Sequence, residues 1–222
     1  MNKLTPEQLK DLLQKSWTLQ TELVETWHDQ EPSQDLVVSL EEGLLALVRQ
    51  QHLKNFKLWH VEDRARRKDV DDRIIAQCKR DIDQFNQQRN DGMEKIDSWL
   101  LQVIANFSAQ KQICSKKYNT ETLGAALDRM SILSLKIYHM REQTVRQDVA
   151  QDHVLGCQEK LNVLIEQHRD LATSILELID DYALGIKTPK VYFQFKMYND
   201  PALNPELYTS ESRHPGIGRN NA

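Results

Sequence analysis

Residues 34–68, QDLVVSLEEGLLALVRQQHLKNFKLWHVEDRARRK, decide the fold of this chain. Apolar side chains recur every four residues at Leu36, Leu40, Leu44 and Val48. That spacing is typical of one face of an α-helix. The stretch therefore predicts a long amphipathic helix over about residues 34–68. Since such a helix is stabilised mainly by packing its apolar face, we expect other helices around it.

The overall composition also favours an all-α fold. Of the 222 residues, 40% are hydrophobic and 28% are charged, while glycine and proline number only 7 and 6. This balance favours helices with solvated faces over a sheet protein rich in turns. A chain of this length is able to bury a substantial core. We predict one domain over residues 1–208, built as a helical bundle of about five long helices.

Capping residues and helix breakers set the predicted helix boundaries. Thr5, Pro6 and Gln8 resemble a helix start, with Thr5 as the cap and Gln8 returning to it. The acidic run 69–72 fits a break before a new helix, because carboxylates stabilise the exposed amides of an N-terminus. Gly185 is a stop signal. The predicted helices cover about 6–29, 34–68, 72–114, a fourth from a cap at Thr120 or Thr122 to between 147 and 152, and 153–184.

The last part of the chain changes character. Residues 191–208, VYFQFKMYNDPALNPELY, begin with an aromatic stretch and continue with proline and asparagine. We expect this aromatic segment to pack across the bundle. Residues 209–222 contain proline, glycine and asparagine and are predicted to be a mobile C-terminal tail.

Charge, cysteine usage and hydropathy exclude several classes of protein. A net charge of -4 and a pI near 6.0 give no general attraction for nucleic acid or an anionic membrane surface. Cys78, Cys114 and Cys157 form no C-x-x-C pair and are interpreted as reduced thiols. No apolar stretch reaches the roughly 18 residues of a membrane span, and the first residues lack the apolar region of a signal peptide. We expect a cytoplasmic protein that does not bind nucleic acid.

The second predicted helix carries an unusual face that mixes aromatic rings with polar groups. At about 100° per residue, its members lie within about 60° of His52. A plain bundle seam would prefer Leu, Ile and Ala, and buried polar groups must find partners. The face is therefore one wall of a site, or else Asp63 and Arg66 pair with each other or with a neighbouring helix. Its members are His52, Asn55, Phe56, Trp59, Asp63 and Arg66, with His60 and Glu62 on the flanks.

The third predicted helix shows a similar mixture of polar and apolar side chains. Arg89 lies on its apolar side, and a buried guanidinium needs a carboxylate or a bound anion unless its head reaches the surface. For the acidic members of the neighbouring polar stripe, a solvated face is the favoured interpretation. The stripe consists of Asp83, Asn86, Asn90, Glu94 and Asp97.

The fourth predicted helix borders an apolar stripe with four charged or titratable residues. Asp128 and His139 align with Ile132 and Leu135, and Arg129 and Lys136 lie in the adjoining row. A single histidine on such a stripe is usually an ordinary core residue. Because three helices offer the same mixture, however, we expect a polar pocket shared between them.

Four segments resemble one family of bacterial proteins. They are HLKNFKLWHVEDRAR (residues 52–66), DIDQFNQQRNDGMEKID (81–97), ETLGAALDRMSILSLKIYHM (121–140) and VYFQFKMYNDPALNPELY (191–208). In this order they resemble the family known as domain of unknown function 4254, and the resemblance extends loosely over nearly the whole chain. Leu123 departs from the pattern, where a proline is expected.

The resemblance implies a site rather than an activity. Members of the family resemble accessory proteins encoded near glycosyltransferases of surface-polysaccharide or lipopolysaccharide assembly, which implies a protein partner in glycan assembly. The motif positions coincide with the unusual helix faces. They are His52, Asn55, Trp59, His60, Glu62, Asp63, Arg66, Asn86, Arg89, Asn90, Asp128, Arg129, Lys136, Lys196, Asn199 and Asp200.

The first functional hypothesis is the binding of an anionic, sugar-like molecule such as a sugar phosphate or a nucleotide sugar. Arginine and lysine would hold its phosphate, asparagine and aspartate would bond its hydroxyls, and Trp59 or Tyr198 would stack on a ring. If the protein is an enzyme, His60 or His139 would carry a proton, oriented by Asp63, Glu62 or Asp128. The ligand-binding set is His52, Asn55, Trp59, Glu62, Arg66, Asn86, Arg89, Asn90, Arg129, Lys136, Lys196 and Asn199.

Two other hypotheses stay open. The chain could be a noncatalytic scaffold or adaptor for a glycan-assembly enzyme, with the polar pocket serving only to fix helix register. A metal site is the second, with His52, His60, Glu62, Asp63, Asp128 and His139 as suppliers of ligand atoms. Diiron bundles, however, need two Glu-x-x-His pairs, and the sequence has only Glu25 with His28. We therefore expect no metal and no cofactor.

Overall fold

The computed structural model describes residues 4–32, 39–108, 116–195, 197 and 200–207. This part of the chain contains long helices and no strand, which confirms the all-α prediction. The five α-helices are α1 (Pro6–Asp29), α2 (Leu44–Ala65), α3 (Asp72–Ser108), α4 (Leu123–Thr144) and α5 (Gln151–Leu184).

The predicted capping residues of α1, α4 and α5 are confirmed. The Thr5 hydroxyl accepts the backbone N–H of Gln8, and the Gln8 side chain accepts the backbone N–H of Thr5. Thr122 caps α4 by accepting the N–H of Ala125 at 3.1 Å. Gly185 ends α5 in the left-handed conformation, with φ of 73°. These interactions satisfy backbone groups that the helix termini leave unpaired.

The second helix starts later than the sequence predicted. Ser39 begins a short 3-10 turn, Leu40–Glu42, in which the Ser39 backbone N–H donates to the Glu42 side chain. Gly43 then adopts a φ of 85°, which interrupts the helical path before Leu44. The predicted start at residue 34 is therefore wrong for residues 39–43, and residues 33–38 lie outside the described part of the chain.

The predicted end of α4 also differs from the structure. Helix α4 ends at Thr144, because the backbone N–H of Val145 donates to the Glu142 carbonyl in a tighter final turn. The predicted end between residues 147 and 152 is thus too late. Helix α3 is described to Ser108, and its predicted end at residue 114 lies outside the described residues.

Two apolar clusters hold the helices together. The larger joins α1, α2, α3, α4 and α5, with fully buried members such as Leu13, Ile96 and Leu127. The smaller joins α1, α2 and α4 through Val24, Trp27, Leu53, Phe56 and Leu135. The unusual face of α2 borders this smaller cluster, since its member Phe56 belongs to the cluster and its member Trp59 packs against it.

No helix among the described residues is both long enough and apolar enough to cross a bilayer.

The chain divides into two compact units, residues 1–191 and 192–222. The first contains the five helices. In the second, the described residues include a 3-10 turn, Pro205–Leu207. Its side chains Tyr192, Phe193 and Phe195 are more than half exposed. The predicted packing of this segment across the bundle and the domain boundary at residue 208 stay predictions, and residues 209–222 lie outside the described part.

Candidate functional site

A buried carboxylate on α4 is the centre of a polar network between three helices. Asp128 is only 3% exposed. Its Oδ1 accepts hydrogen bonds from Gln51 and from Asn55 Nδ2, the latter at 2.9 Å, both on α2. Arg89 on α3 donates Nε to Oδ1 at 2.8 Å and Nη2 to Oδ2. The charge of Asp128 is thus paired and hydrogen-bonded, as a buried charge requires.

A hydroxyl group on α4 and an imidazole on α2 extend this network. Asn55 Nδ2 also donates to Ser131 Oγ at 2.8 Å, and His52 Nδ1 lies 2.7 Å from the same oxygen. His52 is fully buried and stacks on Trp27, with ring centroids 5.1 Å apart. Burial lowers the pKa of His52 to about 3, so its imidazole is neutral at physiological pH. Gln51, His52, Asn55, Arg89, Asp128 and Ser131 are called the Asp128 network below.

Helical spacing and two glycines bring these side chains together. Gln51 and Asn55 are four residues apart on α2, and therefore share a face. Gly92 on α3 allows close approach to α2, since a Cβ there would lie 3.1 Å from the side chain of Gln51. Gly124 at the start of α4 donates its N–H to Asp97 of α3 at 2.7 Å. Helices α3 and α4 are thus fastened both here and at Arg89.

A groove opens beside the Asp128 network. It has a volume of about 280 Å³, and Arg89 lies in its wall with 24% of its side chain exposed. Since Arg89 uses Nε and Nη2 to bind Asp128, that pair leaves Nη1 unused. This cavity, called the polar groove, is lined by Asn55, Leu58, Trp59, Glu62, Asp63, Arg66, Arg89, Ile132 and Leu135.

The polar groove is lined by both positively and negatively charged side chains. Arg66 donates Nη1 to the Glu62 carboxylate at 2.8 Å, and 68% of its side chain is exposed. The side chain of Asp63, also exposed, forms no ion pair with that of Arg66 among the described residues, so the alternative in which these two side chains pair with each other does not hold. The amide oxygen of Asn55 is buried and has no hydrogen-bond partner among the described residues. The groove therefore offers guanidinium donors, carboxylate acceptors and the indole of Trp59.

A larger and more apolar groove lies between α4 and α5. Its volume is about 750 Å³. Trp59 lines both this α4–α5 groove and the polar groove. The other lining residues are Lys136, His139, Met140, Gln143, Glu159, Lys160, Val163, Leu164 and Gln167.

His60 and His139 lie together, away from the polar groove. They form a cluster with His28 of α1, and the three ring centroids are 4.9 to 5.9 Å apart. Trp59 stacks on His139 with an interplanar angle of 7°. Burial lowers the pKa of His139, against the effect of its bond to Glu142. Neither histidine is oriented by Asp128, Asp63 or Glu62, because Glu142 and a backbone carbonyl hold their Nδ1 atoms.

The structure brings only part of the predicted site together. Asn55, Trp59, Glu62, Asp63, Arg66 and Arg89 line the polar groove, and His52 and Asp128 lie behind it. Arg129 and Lys136 line a different cavity, where Arg129 pairs with Glu121 at 2.8 Å. Asn86 and Asn90 lie on α3 and do not line the polar groove, and Asn90 is buried. Lys196 and Asn199 lie outside the described residues.

The solvated-face interpretation of the α3 stripe is wrong for Asp97. This side chain is 5% exposed and accepts the N–H of Gly124. Burial raises the pKa of Asp97, while its hydrogen bonds oppose that change. Asp83, by contrast, pairs with Lys79 one turn away on the surface of α3.

Sequence reasoning missed three participants. Gln51 and Ser131 complete the Asp128 network, and His28 completes the histidine cluster. Gln51 lies one turn before Asn55, so the helical period pointed to it. His28 appeared only as half of a Glu-x-x-His pattern, because nothing in a single sequence indicates which face of α1 meets α2 and α4.

The model of the family "Protein of unknown function (DUF4254)" matches residues 45–191. The chain belongs to this family. The match includes α2 to α5, and hence the Asp128 network and the polar groove, whereas His28 precedes it. No curated protein and no solved structure shows a significant match to this DUF4254 chain.

Proposed function

We propose that this DUF4254 protein binds a small anionic, hydroxyl-bearing molecule, such as a sugar phosphate or a nucleotide sugar, in the polar groove. The observation that carries the proposal is the position and the pairing of the Arg89 guanidinium. Its guanidinium is held in a fixed orientation by the buried Asp128 while part of it faces the groove. A charged donor fixed in advance binds an anion without the entropy cost of ordering a flexible side chain.

Arg66 supplies the second guanidinium. Its pair with Glu62 is exposed, and such pairs contribute only about 0–1 kcal/mol. A ligand phosphate would therefore exchange with Glu62 at small cost. Because Asp128 already neutralises Arg89, a ligand of low charge suits the groove better than a polyanion.

The uncharged parts of the groove suit a hydroxylated ring. The Trp59 indole offers an apolar surface, and the exposed carboxylate of Asp63 offers acceptors for hydroxyl groups. Combining one aromatic face with a few polar groups is typical of small-molecule sites. A role in surface-polysaccharide or lipopolysaccharide assembly in bacteria belongs to the same proposal and rests on the motif resemblance alone.

Binding is tested by calorimetry at low salt with a UDP-hexose, a hexose 1-phosphate and inorganic phosphate. We expect at least one sugar ligand to bind, and Arg66→Gln to weaken it about 10-fold or more, as loss of a charged hydrogen bond implies. Arg129→Gln is the matched control, because it removes the same charge from another cavity. No binding by any probe, or an equal loss in both variants, would reject the proposal.

A noncatalytic adaptor for a glycan-assembly enzyme is the second candidate. The α4–α5 groove favours it, because Trp59, Met140, Val163 and Leu164 form an apolar surface there. Val163 is 51% exposed. Val163→Asp would abolish capture of such an enzyme while leaving ligand binding in the polar groove unchanged. Unchanged capture by this variant would exclude the α4–α5 groove as the adaptor surface.

A further inference from the structure

Three histidines from three different helices meet at one point of the bundle. They are His28 of α1, His60 of α2 and His139 of α4, and one ring nitrogen from each lies within 4.8 Å of the others. Each side chain is only partly exposed. Since the helices are far apart in sequence, this convergence depends on the fold and not on a local turn.

The hydrogen bonds of the cluster fix the same tautomer in all three rings. His28 Nδ1 lies 2.6 Å from the Val24 carbonyl, and His60 Nδ1 lies 2.8 Å from the Phe56 carbonyl. A carbonyl oxygen only accepts, so each Nδ1 carries the proton. His139 Nδ1 lies 2.7 Å from a Glu142 carboxylate oxygen, which likewise accepts. The lone pair of each neutral imidazole is therefore on Nε2.

Two of these lone pairs are buried without a donor. Nε2 of His28 and Nε2 of His139 have no hydrogen-bond partner among the described residues. Leaving a buried polar atom unsatisfied costs about 1–3 kcal/mol. Around the cluster, Phe56, Trp59 and Tyr138 provide ring contacts but no donor to these atoms. A purely structural aromatic cluster would not require histidine at both positions.

We propose that His28, His60 and His139 bind a divalent transition-metal ion, Zn²⁺ in the first instance, through their Nε2 atoms. Imidazole nitrogen is a preferred ligand of Zn²⁺ and of other late first-row metals. Metal-bound histidines almost always donate the other ring N–H to a carbonyl or carboxylate, which is the arrangement found here. The proposal goes beyond ligand binding in the polar groove and departs from the sequence-based expectation of no metal.

The geometry requires only a local adjustment of the side chains. In a tetrahedral site with Zn–N bonds of about 2.0–2.1 Å, the nitrogens are about 3.3 Å apart. The converging ring nitrogens lie within 4.8 Å of one another, so about 1.5 Å of closer approach brings them to that separation. Three protein ligands leave a fourth position for water or another small ligand. His139 also lines the α4–α5 groove, so one ligand of the proposed site borders that cavity.

The test measures metal binding by the full chain, purified without a histidine tag and treated with a chelator. Titration with Zn²⁺ is followed by calorimetry, and titration with Co²⁺ by visible absorption, with Mg²⁺ as a metal of the wrong class. We expect one strong Zn²⁺ site per chain, a Co²⁺ spectrum of a tetrahedral nitrogen-rich site, and no response to Mg²⁺. His139→Gln should weaken Zn²⁺ binding at least about 100-fold, and Glu142→Gln about 10-fold, as loss of an outer-shell partner does.

His168→Gln is the matched control. His168 is half-buried on α5, and its Nε2 also has no partner in the part of the chain that the structure describes, but it lies outside the cluster. This variant should bind Zn²⁺ as the wild type does. His153→Gln is a second control, because His153 Nε2 lies 3.5 Å from the Cys157 thiol and that pair is a competing site. Loss of the strong site in either control would assign the metal elsewhere.

A measurement on the wild type keeps the test independent of whether the variants fold. In protein labelled with ¹⁵N-histidine, Zn²⁺ should shift the Nε2 resonances of three residues and leave their Nδ1 atoms protonated. The absence of a strong Zn²⁺ site, or shifts at histidines other than these three, would overturn the proposal.

Discussion

Arg89 of α3 and Asp128 of α4 form a two-point ion pair, in which Nε and Nη2 each donate to a different carboxylate oxygen. The carboxylate side is 4% exposed and the guanidinium side 24%. The hydrogen bond to Asp128 raises the pKa of Arg89, so the guanidinium is charged throughout the accessible pH range. The pair fastens two helices and at the same time presents a cation to the polar groove.

Replacing Arg89 alone should destabilise the protein more than replacing Arg89 and Asp128 together. Arg89→Leu leaves a buried carboxylate with only amide donors, and we expect it to lower the free energy of unfolding by about 3 kcal/mol. Adding Asp128→Asn should recover at least half of that loss. Urea denaturation measures both values. Arg129→Leu, which breaks the exposed pair with Glu121, should cost less than about 1 kcal/mol. Additive effects of Arg89→Leu and Asp128→Asn would show that the two residues are not coupled.

His52 predicts that stability falls on mild acidification. Its pKa is about 3 in the folded protein and 6.5 in an unfolded chain, so between these values the unfolded state takes up a proton that the folded state does not. On this account the free energy of unfolding falls by about 2 kcal/mol from pH 7.5 to pH 5, and the loss is absent above pH 7. His52→Gln should lack this contribution. Urea denaturation at several pH values measures the free energy of unfolding of both proteins. An equal fall in the wild type and in His52→Gln would contradict the prediction.

Substitution by alanine should destabilise the protein at Gly124 and stabilise it at Gly156. A Cβ at Gly124 would lie 2.5 Å from the Met93 carbonyl oxygen and 2.9 Å from Asp97, whereas one at Gly156 meets nothing within 4 Å. Gly124→Ala forces α3 and α4 apart and should destabilise by at least about 2 kcal/mol, in the range of overpacked sites. Gly156→Ala, inside α5, should stabilise by about 0.5–1 kcal/mol. Thermal unfolding of both variants checks the signs, and a stabilising Gly124→Ala would refute the close approach.

Asp97 stabilises the fold through its hydrogen bond to Gly124 and destabilises it through its buried charge. Burial raises its pKa above 3.8, so its contribution to the free energy of unfolding decreases as pH rises through that value towards the folded pKa. Asp97→Asn retains an acceptor for the Gly124 N–H and should be at least as stable as the wild type at about pH 7. Asp97→Ala loses the acceptor and should be less stable by about 1 kcal/mol or more. If both substitutions destabilise equally, the hydrogen bond to Gly124 is not the relevant interaction.

Local signals were sufficient to predict most of the fold. The α1 start at Thr5 and the α5 stop at Gly185 are properties of short segments, and both were predicted correctly. The start of α2 was not, because Gly43 and the Ser39–Glu42 capping interaction interrupt an apolar period that continues across them. The spacing of apolar residues does not reveal an interruption of the helix when the same spacing continues on both sides of it.

The candidate site was less predictable, since it depends on how helices face each other. The sequence indicated that Arg89 needs an anionic partner, and the fold supplies Asp128. It also grouped Arg129 with Arg89, although the two lie at different cavities. His28 could not be assigned to a cluster without knowing that α1 packs beside His60 and His139. Pairwise geometry between distant segments is the information that one sequence lacks.

The Trp59 side chain forms part of the wall of two cavities. Its indole lines the polar groove and the α4–α5 groove and lies flat against His139. A molecule that turns this ring from one side alters the space and the imidazole on the other. Occupancy of the two cavities is then linked, and thermodynamics makes that linkage reciprocal: whatever one occupant does to the affinity for the second, the second does equally to the first.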